Sequence, residues 1–167
     1  MLPNIGSVAL DALIPMVIVF IYYNPKVLGT VWMKVSGMTE EKMKESNMVL
    51  VFGLSYVLSF IMCFMLALLV VHQTDLYSIF NGKEGFGVAG SEVTLAIEEV
   101  MRLGANNFRD FGHGALHGGL IGFFFGLPVL MTNGLFEGKS IKYGFVNAFY
   151  WIITMTLAGG VLCQWAY

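Results

Sequence analysis

The sequence predicts an all-α fold, an integral membrane bundle of four transmembrane helices. Of its 167 residues, 57% are hydrophobic and 12% are charged, whereas a soluble domain carries about 25% charged residues. Four windows have the roughly 20 apolar residues that a helix needs to cross a bilayer, at about 5–23, 48–71, 114–136 and 144–165. These windows use most of the chain, so we expect residues 1–167 to form a single four-span membrane domain.

The basic residues predict the orientation of this bundle. The connections between spans one and two and between spans three and four carry six lysines, Lys26, Lys34, Lys42, Lys44, Lys139 and Lys142. The opposite side has Lys83, Arg102 and Arg109. Because basic residues concentrate in cytoplasmic loops, we expect a multi-pass protein of the bacterial inner membrane with both termini outside. The net charge of −2 argues against nucleic acid as a partner.

Span three carries a glycine zipper, with glycine at every fourth position. Gly114, Gly118, Gly122 and Gly126 share one side of a helix and leave a bare strip roughly 18 Å long. In lipid, helices associate through close packing of their surfaces rather than through hydrophobic burial. We therefore expect the strip to pack against another helix, in the same bundle, in a homo-oligomer or in a larger membrane complex.

The connection between spans one and two predicts a short interfacial helix. Asn24 and Pro25 suit an N-cap followed by proline at the first helical position. Apolar residues then recur at helical spacing as far as Gly37, and Trp32 suits an anchor at headgroup level. We expect the charged turn that Thr39 caps to run straight into span two.

The long second connection predicts a glycine-rich segment followed by an amphipathic helix. Residues 81–90 contain enough glycine to be flexible, and Ser91 suits the N-cap of a helix to about Leu103. Glycines 85, 87 and 90 also match the dinucleotide fingerprint by letter. That motif needs a parallel β-sheet unit, which a connection between two membrane spans does not supply, so we expect no cofactor.

A group of polar residues lies on the predicted outer side. Asp11 is in span one, His72 ends span two, and His113 and His117 begin span three. Polar and charged groups inside a membrane need partners, and two histidines four residues apart can hold one metal ion. Asp11, His113 and His117 are therefore candidate metal ligands. We expect structural hydrogen bonds and no metal, with a metal site or proton handling as alternatives.

Pro15 predicts a kink in span one. It cannot donate a backbone hydrogen bond to the carbonyl of Asp11, so the helix should bend there.

At the predicted cytoplasmic side, Asn133, Glu137 and Asn147 suit a polar clamp. Glu137 ends a helix, where the dipole disfavours an anion, so we expect a lysine beside it. Asn133 and Asn147 could bond to each other across the hairpin.

Two blocks of the sequence resemble a known family. The first reads YNPKVLGTVWM at 23–33 and SGMTEE at 36–41; the second reads NGLFE at 133–137, KY at 142–143 and NAFYW at 147–151. They are similar to the ends of the small bacterial membrane proteins known as domain of unknown function 1761. The glycine-rich connection at 81–90 looks like an insertion or a lineage variant. The resemblance implies a four-span fold and no activity, substrate or cofactor.

These patterns predict a non-enzymatic membrane protein. No nucleophile or base with a third group to orient it is apparent, so we expect a packing, assembly or accessory subunit of a homo-oligomer or of a larger membrane complex. A small carrier or channel that uses the buried polar residues is one alternative, which Pro15 and Pro128 in spans one and three favour slightly. A metal-dependent membrane enzyme or redox subunit is the other.

Overall fold

The computed structural model describes residues 2–167. Four helices are long and apolar enough to cross a membrane, and we number them as spans one to four: Ile5–Tyr22, Met48–Val70, Phe111–Phe136 and Ile141–Trp165. The described part of the chain contains no β-strand. The structure thus confirms the all-α fold with four candidate membrane spans, whose bounds differ from the predicted windows by at most three residues.

Span four lies at the centre of the bundle. It packs against each of the other three spans and has the largest buried share of the four. Small side chains from spans one, two and four let the helix axes approach closely, and among the core residues are Val8, Ala12, Cys63, Ala67, Ala158 and Cys163. Both cysteines are buried free thiols, as expected of small packing residues.

The glycines of span three pack against span four of the same chain. A Cβ atom on Gly114 would overlap the carbonyl group of Gly159, and one on Gly118 would overlap that of Met155. A Cβ on Gly122 would stand 2.8 Å from the Cα of Ile152. Residue numbers rise along one helix as they fall along the other, so the two spans are antiparallel. The strip therefore serves packing within the bundle.

Gly126 does not take part in this packing. Residues Gly122–Gly126 form one turn of π-helix, in which the Leu127 N–H donates to the Gly122 carbonyl. The wider turn adds one residue and rotates the following positions by about 100°. A Cβ on Gly126 would meet no atom within 4 Å. The contact therefore contains three glycines rather than the four that the regular spacing predicts.

Span one is broken at Ala12 into the helices Ile5–Asp11 and Leu13–Tyr22. This break is the kink predicted from Pro15, which cannot supply the backbone N–H of a regular helix. The Tyr150 hydroxyl donates to the carbonyl of Pro15 at 2.9 Å. Span four thereby holds the second half of span one.

The connection between spans one and two differs from the prediction at its start. Its first helix, Gly29–Ser36, begins four residues after Pro25. Asn24 accepts a hydrogen bond from the Lys26 N–H at 2.9 Å, so its side chain makes a turn instead of an N-cap. Gly29 lies so close to the Tyr23 carbonyl that a Cβ atom would overlap it. The chain reverses here before it becomes helical.

The charged turn after Thr39 is a separate helix. Thr39 caps Glu40–Glu45 as predicted, accepting from the Lys42 N–H at 3.3 Å. The expectation that this helix continues into span two is wrong, because Ser46 is extended. Asn47 then caps span two by accepting from the Leu50 N–H at 3.1 Å.

The long connection contains two helices, Gln73–Phe80 and Glu92–Gly104. Ser91 caps the second as predicted, whereas the first was not predicted from the sequence. The glycine-rich segment between them is folded into turns. Its Gly85 carbonyl accepts from the hydroxyls of Ser91 at 2.6 Å and Thr94 at 3.1 Å.

Candidate metal centre

The structure brings all three histidines of the chain together at one end of the bundle, which we call the histidine end. His72, His113 and His117 each offer a ring nitrogen, and these nitrogens lie within 4.8 Å of one another. The Nε2 atoms of His72 and His113 are 2.9 Å apart. His72 is exposed and the other two are half-buried, so the group is accessible from outside the bundle.

His113 and His117 are positioned by the first turns of span three. They lie four residues apart on one helix face, with ring centroids 4.4 Å apart. The helix start is fixed because Asp110 accepts a hydrogen bond from the His113 N–H at 2.9 Å. Gly114 and Gly118, each adjacent to one of these histidines, bring the helix against span four.

His72 is positioned by the corner between span two and the helix that follows it. The residues on either side of it, Val71 and Gln73, are buried. The Thr74 hydroxyl donates to the Val71 carbonyl at 2.7 Å, which closes the corner. Gln73 donates from Nε2 to the carbonyls of Gly104 and Asn107 at 3.0 and 2.9 Å. These contacts fix the backbone from which the His72 ring projects.

Phe108 packs against the histidine group and has a strained backbone conformation. Its φ of 59° lies in the left-handed region, which is costly for a bulky side chain and is often found at functional sites. Its ring stacks on His113 with centroids 4.9 Å apart. Span four holds the strained segment, because the Cys163 thiol donates to the Phe108 carbonyl at 3.2 Å and Arg109 donates to the Cys163 carbonyl at 2.9 Å.

The spacing of the ring nitrogens fits a tetrahedral metal ion. Zinc binds imidazole nitrogen at about 2.0–2.1 Å, which places two such nitrogens about 3.3 Å apart in a tetrahedral site. The Nε2 atoms of His72 and His113 are 2.9 Å apart, and no two nitrogens of the set are more than 4.8 Å apart. The three rings are therefore close enough together to be candidate ligands of one ion.

Asp11 is not part of this group, so the candidate ligand set predicted from the sequence differs from the one observed. Its side chain is buried in the bundle core, and the thiol of Cys63 lies beside it. His72 stands with His113 and His117 instead. The helix of span one that carries Asp11 packs against spans two and four, whereas His72 is exposed and His113 and His117 are half-buried.

The predicted polar clamp is only partly formed at the opposite end of the bundle. Asn147 accepts a hydrogen bond from the Tyr23 hydroxyl at 3.0 Å. Asn133 and Glu137 are exposed, and neither the Asn133–Asn147 bond nor a Glu137 ion pair occurs among the described residues. Because the Glu137 side chain is exposed, it does not depend on a neighbouring lysine for a partner.

At the end of the bundle opposite the histidines, a lysine and several aromatic side chains join the connection after span one to spans one and four and to the loop between spans three and four. Lys139 donates to the Ser36 carbonyl at 2.9 Å, a favourable position for a cation at a helix C-terminus. Trp32 packs edge-on against Tyr23 with centroids 5.2 Å apart. Burial raises the pKa of Tyr23, and the phenols of Tyr22, Tyr150 and Tyr143 add to this effect. Tyr23 therefore remains a hydrogen-bond donor at any physiological pH.

The fold and the site together define a class, a helical bundle with four candidate membrane spans and three clustered histidines at one end. The chain belongs to the family described as "Protein of unknown function (DUF1761)", which it matches over residues 7–163. The matched range contains both sequence blocks that carry the resemblance and the long connection between them. No curated protein and no solved structure matches the chain.

Proposed function

We propose that this protein binds a late first-row transition-metal ion at His72, His113 and His117. One observation carries the proposal: three ring nitrogens from two separate segments of the chain lie within 4.8 Å of one another. Neutral imidazole is a good ligand for zinc, copper, nickel and iron. Zinc is the simplest occupant, because it accepts tetrahedral geometry without a redox change.

A purely structural role explains the group less well. A structural hydrogen bond between His72 and His113 uses two imidazoles, and the ring of His117 makes no hydrogen bond within the described part of the chain. Protonated imidazoles so close together would also repel one another. A metal ion uses all three rings in their neutral form.

The proposed role is reversible binding of the ion. Three protein ligands leave the fourth position of a tetrahedral ion open, so the ion can be taken up and passed on through ligand exchange at the accessible side. The positive-inside rule supports an inner-membrane orientation with both termini outside. In that orientation the histidine end faces the outside of the cell.

Partners are a separate part of the proposal. The glycine zipper is covered by span four, so assembly with a second copy or with another membrane subunit would use the outward faces of the other spans. The mass of the intact particle in a mild detergent or native nanodisc tests this. A single-chain mass in both media would exclude a stable homo-oligomer.

A titration of the metal-free protein tests the metal site. The protein is purified in mild detergent with a tag that does not bind metal, and zinc binding is followed by calorimetry. We expect one zinc ion per chain in the wild type. Because loss of even an outer-shell partner weakens metal binding about 10–100-fold, we expect H72A, H113A and H117A each to lose at least about 100-fold.

Asp11→Asn is the matched control, because the sequence offered Asp11 as the third candidate ligand beside His113 and His117. We expect D11N to bind zinc like the wild type. Zinc binding that survives in H72A but is lost in D11N would overturn the proposed ligand set. Absence of saturable zinc, copper and nickel binding in the wild type would overturn the proposal as a whole.

A further inference from the structure

Asp11 is a carboxylic acid in the core of the bundle, separate from the histidine site. Its side chain is 2% exposed, and neither carboxyl oxygen has a hydrogen-bond partner in the described part of the chain. We propose that Asp11 is a proton-binding site inside the membrane domain. Its carboxyl group holds a proton in the resting protein and exchanges that proton with water.

Among residues 2–167, no cation pairs with Asp11 to balance an ionised carboxylate. Its nearest neighbours along its own helix, Val8 and Ala12, are apolar and fully buried. The ion pair found in the described residues, Arg102–Glu99, is exposed and lies in the long connection. A buried charge without a partner is strongly unfavourable in such a place.

The other titratable groups that face this core are weak acids, and the tyrosine hydroxyls among them donate to backbone carbonyls. From span two, the Tyr56 hydroxyl donates to the Ala9 carbonyl at 3.0 Å, and Cys63 contributes only a thiol, a weak donor. From span four, the Tyr150 hydroxyl donates to the Pro15 carbonyl. The Cys163 thiol lies 3.5 Å from the Val70 carbonyl. Of these groups the Cys63 thiol is the one that lies beside the carboxyl, and a thiol is too weak a donor to balance a buried carboxylate.

Addition of one proton to a carboxylate oxygen removes the unfavourable buried charge. The product is a neutral acid, which needs one acceptor for its O–H rather than several donors. Ionisable residues inside membrane spans are by default candidates for proton or ion pathways. The buried hydroxyls of Ser59 and Thr154 lie one helical turn from the core residues Cys63 and Ala158, and the Thr154 oxygen has no partner in the described residues.

Infrared spectroscopy of the whole protein tests the proton directly. A neutral carboxyl group has a C=O stretching band distinct from that of a carboxylate. We expect such a band at neutral pH, shifted by incorporation of 13C-labelled aspartate and shifted again in D2O as the proton exchanges. The isotope measurement uses the wild type, so it does not depend on whether a variant folds.

Variants assign the band to one residue. We expect the band to disappear in D11N and to persist in D75N and D110N, which change the two exposed aspartates of the chain. A spectrum without an aspartate-sensitive neutral carboxyl band, a band that persists in D11N, or a band unchanged by D2O would overturn the proposal. Zinc titration of D11N keeps this result separate from the metal site, which we expect to be unaffected.

Discussion

The Nε2 atoms of His72 and His113 lie 2.9 Å apart although the residues are 41 positions apart in the chain. The contact joins the end of span two to the start of span three, the two points between which the long connection runs. An ion held by this pair and His117 would therefore tie two spans together. Metal binding should stabilise the folded protein by a free energy that rises with the logarithm of the metal concentration divided by the dissociation constant.

Acidification should weaken zinc binding. Each imidazole must release its proton to bind metal, and imidazole in water takes up a proton near about pH 6.5. We expect zinc affinity to be nearly constant above about pH 7 and to fall below about pH 6. The fall should be steeper in the wild type than in H72A, which keeps two histidines. Calorimetric titration across this range measures both slopes, and an affinity independent of pH would argue for ligands other than histidine.

Substitution of the buried glycines should disrupt the contact between spans three and four. In G118A the new methyl group would overlap the Met155 carbonyl, so we expect a loss of roughly 1–3 kcal/mol, as in overpacked cores. G126A is the matched control, because it adds the same group to the same span in open space. Thermal aggregation in detergent compares the two. Equal midpoints for G118A and G126A would contradict the packing described.

The Tyr23 hydroxyl should contribute to stability at the end of the bundle opposite the histidines. Y23F removes the hydrogen bond to Asn147, and membrane-protein hydrogen bonds contribute about 0.6 kcal/mol on average. Y143F is the control, because the Tyr143 hydroxyl makes no hydrogen bond within residues 2–167. Unfolding in detergent with increasing denaturant should give a lower midpoint for Y23F only. A larger loss in Y143F would contradict the assignment.

The proposed orientation predicts which residues are reached from outside the cell. With Cys63 and Cys163 replaced by alanine, a single cysteine at position 83 should react with a membrane-impermeant thiol reagent in intact cells. A cysteine at position 142 should react only after the membrane is opened. Reaction at 142 but not at 83 in intact cells would reverse the orientation.

The spans could be predicted from the sequence because membrane insertion depends on apolar length, which is a local property. The kink at Pro15 and the cap at Ser91 are also local and were predicted. The start of the helix at Gly29 was not, because Asn24 uses its side chain in a turn, and both uses suit the same residue. The π-helical turn at Gly122 escaped prediction because the glycine spacing by itself implies a regular helix.

The candidate site required the tertiary structure. His113 and His117 could be paired from their spacing within one helix. The sequence places His72 at the same end of the bundle as these two residues, but it does not show that the rings meet. The position of His72 depends on a corner after span two, which is fixed by contacts between Gln73 and the loop at Gly104 and Asn107. The sequence did contain one indication of which helix packs against the glycine strip, because Gly159 and Gly160 are adjacent in span four.

The central claim, a metal ion held by three histidines, is tested most directly by X-ray absorption at the zinc edge of the zinc-loaded protein. Our account predicts a first shell with three imidazole nitrogens at about 2.0 Å and one light atom in the open position. Multiple scattering from the imidazole rings should decrease by one third in H72A if that variant still binds zinc. A first shell of oxygen alone, or one that contains sulfur from Cys63 or Cys163, would contradict the account.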